Sequence, residues 1–249
     1  MKLFYLLVFL VTLSCGSSVE NGKTIKIACA ANMQFAMDSI IIVFQEEYAI
    51  QCEITSGSSG MLTSQIENGA PYDVFISANM NYPETIFANG KGIKPIVYAK
   101  GRLLLVTDKN ATYSSIDQVL NDTKLQRIAM PDDRIAPYGM ATSQYLKNSG
   151  QYTKLKDRLV IGESVGQVNQ YITTNVVDAA FTSYSFKVKN GNNYTYFEVE
   201  QDKFDPIKQG VMILNHGLNN NKKEAEQFLN FISSDKCMAI LEYFGYLAN

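Results

Sequence analysis

From residue 24 onward, short apolar runs alternate with amphipathic stretches. Residues 25–30 (IKIACA) read as a strand, and Met33, Ala36, Met37, Ile40, Ile41, Phe44 and Tyr48 then fall on one helical stripe across 33–48. A second strand is predicted over 53–56. Gly57-Ser58-Ser59-Gly60 opens a short helix ending near Asn68-Gly69, and Pro71 precedes a third strand over 74–77 (VFIS). This βαβαβ rhythm predicts a parallel, doubly wound sheet with right-handed crossovers.

The theme recurs with different members. Strands are expected over 102–107 (RLLLVT), 127–130, 159–161, 179–182 and 194–199, with helices over about 138–147 and 165–174. The tail offers a strand over 211–214 and helices over 222–233 and 235–244. The expected architecture is α/β and two-lobed, each lobe a mostly parallel sheet flanked by helices. Residues 24–100 plus 206–249 form lobe I and 101–205 form lobe II, and the strands at 102–107 and 211–214 are the two crossings. A ligand would sit in the cleft, outside the carboxyl ends of the strands.

The first residues change the picture of where the chain works. Lys2 precedes an apolar stretch from Leu3 to Leu13, too short to span a bilayer comfortably and typical of a secretory signal peptide. It runs into Thr12-Leu13-Ser14-Cys15-Gly16, which resembles a bacterial lipobox and marks Cys15 as a lipid-anchor candidate; ordinary signal cleavage nearby is the alternative. Residues 1–15 are thus assigned to the leader and 16–23 (GSSVENGK) to a flexible tether. The expected location is periplasmic or on the outer face of the membrane, with membrane contact only through the anchor.

With 249 residues, 46% of them hydrophobic, the chain can bury a substantial core. A net charge of -2 with no long basic run excludes a nucleic-acid footprint, which needs clustered Lys and Arg. Apart from Cys15, the cysteines are Cys29, Cys52 and Cys237, an odd number read as buried free thiols. The single His216 lies in a Gly/Asn-rich stretch with no nearby partner, so neither a zinc site nor a Cys–His nucleophile pair is assembled.

Four places share one local design, a strand end, a tight small or polar loop, then a helix. They are Ala30-Ala31-Asn32-Met33, Gly57-Ser58-Ser59-Gly60, Ala136-Pro137-Tyr138-Gly139 and Glu163-Ser164-Val165-Gly166. Helix starts carry unpaired N–H groups and partial positive charge, so each suits an anion, and Asn32 and Ser59 add neutral donors. Taken singly, such residues are caps and turns. Asp73 is expected to fix a loop, Glu163 to favour a helix dipole, and Arg134 to pair with Asp132 or Asp133.

Specific segments resemble the molybdate-binding proteins of ABC transporters, within the type II periplasmic binding-protein superfamily. They are Ala28-Cys29-Ala30-Ala31-Asn32, the long block from Ser56 through Ala78, Pro137-Tyr138-Gly139, Glu163-Ser164-Val165, and in the tail Phe231 and Tyr243-Phe244-Gly245-Tyr246. The resemblance covers nearly all of the mature chain and is less clear from about 183 to 208. It implies a type II two-lobed fold and an interlobe site for molybdate or tungstate, with no cofactor and no direct metal ligands. The implied ligand contacts are Asn32 and Ser59 through side chain and backbone, Tyr138 and Val165 mainly through backbone N–H, and a backbone contact from Ala31. Some family members use a Tyr hydroxyl at a position near Ser183, which makes Ser183 a further candidate. The implied partner is an importer permease, and the binding protein itself is expected to be a monomer. Sulfate, another tetrahedral oxyanion or an organic anion remains an alternative ligand. An enzyme on the same scaffold is disfavoured, because no base stands beside a nucleophile.

Overall fold

The computed structural model describes residues 23–248. The leader, Cys15 and nearly all of the tether lie outside the described residues. Ten strands, β1 (Thr24–Ala30), β2 (Gln51–Gly57), β3 (Val74–Ser77), β4 (Ile96–Gly101), β5 (Leu103–Asp108), β6 (Ile128–Pro131), β7 (Leu159–Gly162), β8 (Ala179–Ser183), β9 (Tyr194–Glu198) and β10 (Ile207–Ile213), form two five-stranded sheets. The helices are α1 (Gln34–Tyr48), α2 (Ser59–Glu67), α3 (Asn81–Ala88), α4 (Ile116–Asn121), α5 (Pro137–Asn148), α6 (Tyr152–Leu155), α7 (Val165–Thr173), α8 (Tyr184–Asn190), α9 (Asn215–Asn220), α10 (Lys222–Ile232) and α11 (Asp235–Tyr243). Among the described residues, no helix is long and apolar enough to cross a membrane.

The first sheet has the order β2-β1-β3-β10-β4 and the second β7-β6-β8-β5-β9. Both follow one plan. Three parallel strands (β2, β1, β3 and β7, β6, β8) are flanked by an antiparallel neighbour, β10 in the first and β5 in the second. Each sheet is therefore more mixed than the βαβ rhythm suggests, because β5 and β10 are the strands that follow the crossings and enter their sheets reversed. The crossings themselves are short links beside those strands. β4 continues into β5 across Arg102, and the chain returns between the end of β9 and Ile207.

The stripe on α1 packs as its spacing dictates: Met33, Ala36, Met37, Ile40 and Phe44 are buried on one face of the first sheet with α10 and α11, where Phe228, Phe231 and Leu241 meet them. On the other face, Leu62 and Ile66 of α2 and Ile86 of α3 cover Ala28, Phe75 and Met212. The second sheet is covered by α5 on one side (Tyr138, Ala141, Tyr145 and Leu146) and by α7 and α8 on the other (Val168, Ile172 and Phe186). Strands covered on both faces need no polar alternation, which is why β3 and β8 are buried at every position.

The three remaining cysteines are free, Cys29 and Cys237 buried and Cys52 partly so. In the β1–β2 register, Cys52 faces Ile25 and Cys29 faces Ser56, so the two thiols are four residues out of step. His216 corrects the expectation of a partnerless side chain. It lies on α9, and its Nδ1 is 2.8 Å from Oδ1 of Asp73, which is fully buried. Oδ2 of Asp73 also accepts from the Lys26 backbone N–H (2.7 Å) and the Asn221 amide (3.1 Å). Asp73 thus ties β1, β3 and α9 together, a longer-range version of the expected loop anchor.

Candidate oxyanion site

Ala31, Asn32, Ser59, Tyr138 and Val165, drawn from four separate stretches of sequence, all line one small cavity between the lobes. Ala30, Gly57, Ser58, Ala78, Ala136 and Pro137 complete its wall, so no Asp, Glu, His, Lys or Arg lines it. Its cavity volume is only about 10 Å³. Pockets for drug-sized molecules run to about 300–1,000 Å³, so this one suits a compact ligand. A larger groove between α3 and α5, lined by Met80, Met140 and Lys208 among others, gathers no comparable set of helix starts.

The chemistry of the wall follows from how each helix begins. A short 3₁₀ turn (Ala31–Met33) leads from β1 into α1 without any side-chain cap. The start of α5 is likewise uncapped, with Ala136 at the cap position and Pro137 next. In α2, Ser58 is the cap and its Oγ accepts from Met61 N–H, which leaves Ser59 as the first helical residue. In α7, Ser164 takes the same role for Gln167 N–H. The first amides of these turns have no partner within their own helix, and the aligned peptide dipoles place positive potential there. Ser59 Oγ accepts from Ala78 N–H at 3.0 Å, and its own proton remains to donate. The wall is therefore rich in neutral donors.

Asn32 contributes differently from the side-chain role expected of it. Both protons of its amide are committed, to Gln209 Oε1 (2.9 Å) and to Tyr246 Oη (3.1 Å). Its backbone carbonyl oxygen accepts from Tyr246 Oη (2.8 Å) and Ser185 Oγ (3.0 Å). In this geometry what Asn32 can offer the cavity as a donor is its backbone N–H. Ser183 is absent from the wall. It is buried, and since Ser185 Oγ donates to Asn32, the 2.8 Å contact between the two serines uses the Ser183 proton. The adjacent Tyr184 points to other company, its ring under Arg102 at 4.0 Å and packed where a side chain at Gly245 would have to go.

Tyr138 lines the cavity at the start of α5 while its buried phenol reaches the end of β4, with Oη only 2.2 Å from where a Cβ at Gly101 would stand. That hydroxyl makes no hydrogen bond of good geometry, although Asn32 and Tyr246 stand beside it, and burial, with Tyr246 close by, pushes its pKa well up. Outside the wall, Arg134 grips Asp132 through Nε and Nη2 and holds its carboxyl below the ordinary range, the local pair expected from the sequence. Gln209, Tyr246 and Ser185, which immobilise Asn32, escaped the reading of the sequence. The available signal was Gln209, which with Lys208 is one of two polar residues in the strand Ile207–Ile213.

The lobes are closed over the cavity. Gly60 N–H of α2 donates to the Ile135 carbonyl at 2.9 Å, Tyr82 Oη to the Arg134 carbonyl at 3.3 Å, and a methyl placed on Gly166 would touch Ala31 at 3.4 Å. Gly139 permits a similar approach inside the second lobe, since a Cβ there would lie 2.3 Å from the Pro131 carbonyl.

Comparison with known proteins identifies the family and the fold. The family model for bacterial extracellular solute-binding proteins matches residues 25–247. The molybdate-binding protein ModA of Rhodobacter capsulatus is 29% identical over 222 residues, covering 88% of this chain and 86% of the relative. A putative ABC transporter substrate-binding lipoprotein of Bacillus subtilis, YvgL, is 27% identical over 248 residues, covering 96% and 94%. The solved periplasmic molybdate-binding protein of Azotobacter vinelandii superposes with a TM-score of 0.85 at 29% identity, covering 90% of this chain and 99% of that one. The match across nearly the whole folded chain, together with the two-sheet architecture, makes this protein a member of the bacterial extracellular solute-binding protein family.

Proposed function

We propose that this protein captures molybdate in the cleft between its lobes, takes tungstate in the same way, and delivers the anion to the permease of an ABC importer. The observation that carries the reading is the convergence of Ala31, Asn32, Ser59, Tyr138 and Val165 on one small cavity without a charged side chain. Backbone amides at four helix starts and the Ser59 hydroxyl replace the hydration shell of a dianion, and closure of the lobes removes it from water. A wall of donors favours an anion with no proton to give; protonated phosphate would need an acceptor opposite its hydroxyl. The names and folds of the relatives support the same ligand.

The role is capture and release. His216, the single histidine, is engaged by Asp73, so no general base accompanies Ser59. The protein works outside the cytoplasmic membrane, tethered through a lipidated Cys15 and acting as a monomer; the lipoprotein among its relatives supports the anchor. Calorimetric titration of anchor-free protein with molybdate, tungstate, sulfate and phosphate tests the reading. Tight binding of the first two with weak binding of the others is expected, and equal binding of sulfate would overturn the named ligand.

A further inference from the structure

Gln209 lies on β10, a strand of the first sheet that contributes no residue to the cavity wall, yet its polar side chain is fully buried, unlike that of the exposed Lys208 beside it. The pairing of β10 with β4 shifts register between Gln209 and Gly210, an irregularity of the kind that re-aims a side chain. Gly210 lets the start of α3 pack close to the strand, because a Cβ there would stand 2.7 Å from Met80 Sδ and 3.1 Å from Pro83. At the end of β4, Gly101 leaves room for the Gln209 amide, to which a Cβ would come within 2.9 Å.

The amide's orientation is set by its surroundings. Nε2 donates to the Ile207 carbonyl at 3.1 Å and to the Ala78 carbonyl at 3.4 Å, so Oε1 must be the atom that accepts from Asn32 at 2.9 Å. Ala78 in turn donates its N–H to Ser59 Oγ at 3.0 Å. Hydrogen bonds therefore connect Ser59 to the N–H of Ala78, and the carbonyl of the same residue through Gln209 to Asn32. They join, through the backbone of Ala78, two residues of the cavity wall that begin different helices. A dry interior strengthens each bond.

From this geometry we infer that Gln209 is a positioning residue for the oxyanion cavity, fixing the first turn before α1 and the Ser59 hydroxyl of α2 relative to each other. Gln209 touches no ligand and acts through Asn32 and Ala78. This inference rests on the oxyanion-binding reading above. It also explains why Asn32 holds its amide away from the cavity: the side chain is an anchor, and the backbone of that turn is what faces the anion.

The test is a double-mutant cycle in molybdate affinity, measured by calorimetry alongside the thermal transition of the unliganded proteins. Gln209→Met keeps the volume and removes all three hydrogen bonds of the side chain. About tenfold weaker binding is expected, as for loss of one well-placed hydrogen bond. Adding Asn32→Ala to Gln209→Met should cost less than about twofold more, because residues acting through one another do not add. Gln209→Asn, which carries the same groups one methylene short, serves if the methionine variant fails to fold, with the same expectation. A folded Gln209 variant that binds within about twofold of wild type, or effects of Gln209 and Asn32 that simply multiply, overturns the inference. Wild-type protein that binds none of the oxyanions overturns the parent reading and this one with it, and that failure shows in the wild type alone.

Discussion

Gly60 and Ile135 belong to different lobes, and the amide of the first meets the carbonyl of the second at 2.9 Å. A Cβ on Gly60 would stand 2.9 Å from that carbonyl oxygen and 3.0 Å from Ile135 Cα, both backbone atoms that cannot swing aside. The last glycine of Gly57-Ser58-Ser59-Gly60 therefore serves closure of the cleft beyond shaping a turn. Gly60→Ala should hinder closure at a cost of about 1–3 kcal/mol, weakening molybdate binding by roughly fivefold to 150-fold. Its unliganded thermal transition should stay close to wild type. Unchanged affinity would separate this contact from ligand capture.

Ser59 and Tyr138 should respond in opposite ways to loss of a hydroxyl. Ser59→Ala removes a donor to a charged ligand, worth about 1.5–3 kcal/mol, or roughly tenfold to over a hundredfold in affinity. Tyr138→Phe removes a buried hydroxyl that makes no hydrogen bond of good geometry. It should leave affinity within about twofold and hold or raise stability by about 1 kcal/mol. Calorimetric titration and chemical denaturation of the two variants check the pair. A large affinity loss in Tyr138→Phe would mean that the phenol, and not the backbone, matters to the ligand.

Asp73 should matter to the fold and be silent in binding. Asp73→Ala leaves the Lys26 amide, Asn221 and His216 without their shared acceptor, and should cost roughly 3 kcal/mol. The folded fraction should still bind molybdate with wild-type affinity. Urea denaturation with and without ligand separates the two effects.

Burial pushes the thiols of Cys52 and Cys237 up to about 12. In the unfolded chain they ionise from the ordinary 9.0, so the unfolded state loses its protons first. The contribution of these thiols to stability is complete below pH 9.0 and falls as pH rises toward about 12. Native protein at pH 8 should react slowly with a thiol reagent at Cys237, and rapidly once denatured. Fast native labelling of that residue would contradict its burial.

Much of the site was legible because its signal is local. A strand end, a small or polar loop and a helix start can be read within a few residues, and the five residues that the family resemblance singled out there, Ala31, Asn32, Ser59, Tyr138 and Val165, line one cavity. The α1 stripe was legible for the same reason. What escaped depends on distant pairings. Gln209 and Tyr246 lie 177 and 214 residues from the Asn32 they hold, and no spacing rule connects them. His216 looked unpartnered because Asp73 is 143 residues away. The strand β4 and the short helices α3, α4 and α8 were missed because their apolar residues are few, half-exposed or interrupted. Ser183 shows the limit of carrying a position across a resemblance: its hydroxyl faces Ser185, a layer behind the wall.

The central claim is that molybdate sits where the four helix starts meet, and its direct test is a crystal of the protein grown with molybdate and measured at the molybdenum absorption edge. The account predicts one strong anomalous peak inside the cavity, with oxygens in hydrogen-bond reach of Ser59 Oγ and of the amides of Tyr138 and Val165. A peak elsewhere, or an empty cavity at saturating molybdate with the lobes closed, would contradict it.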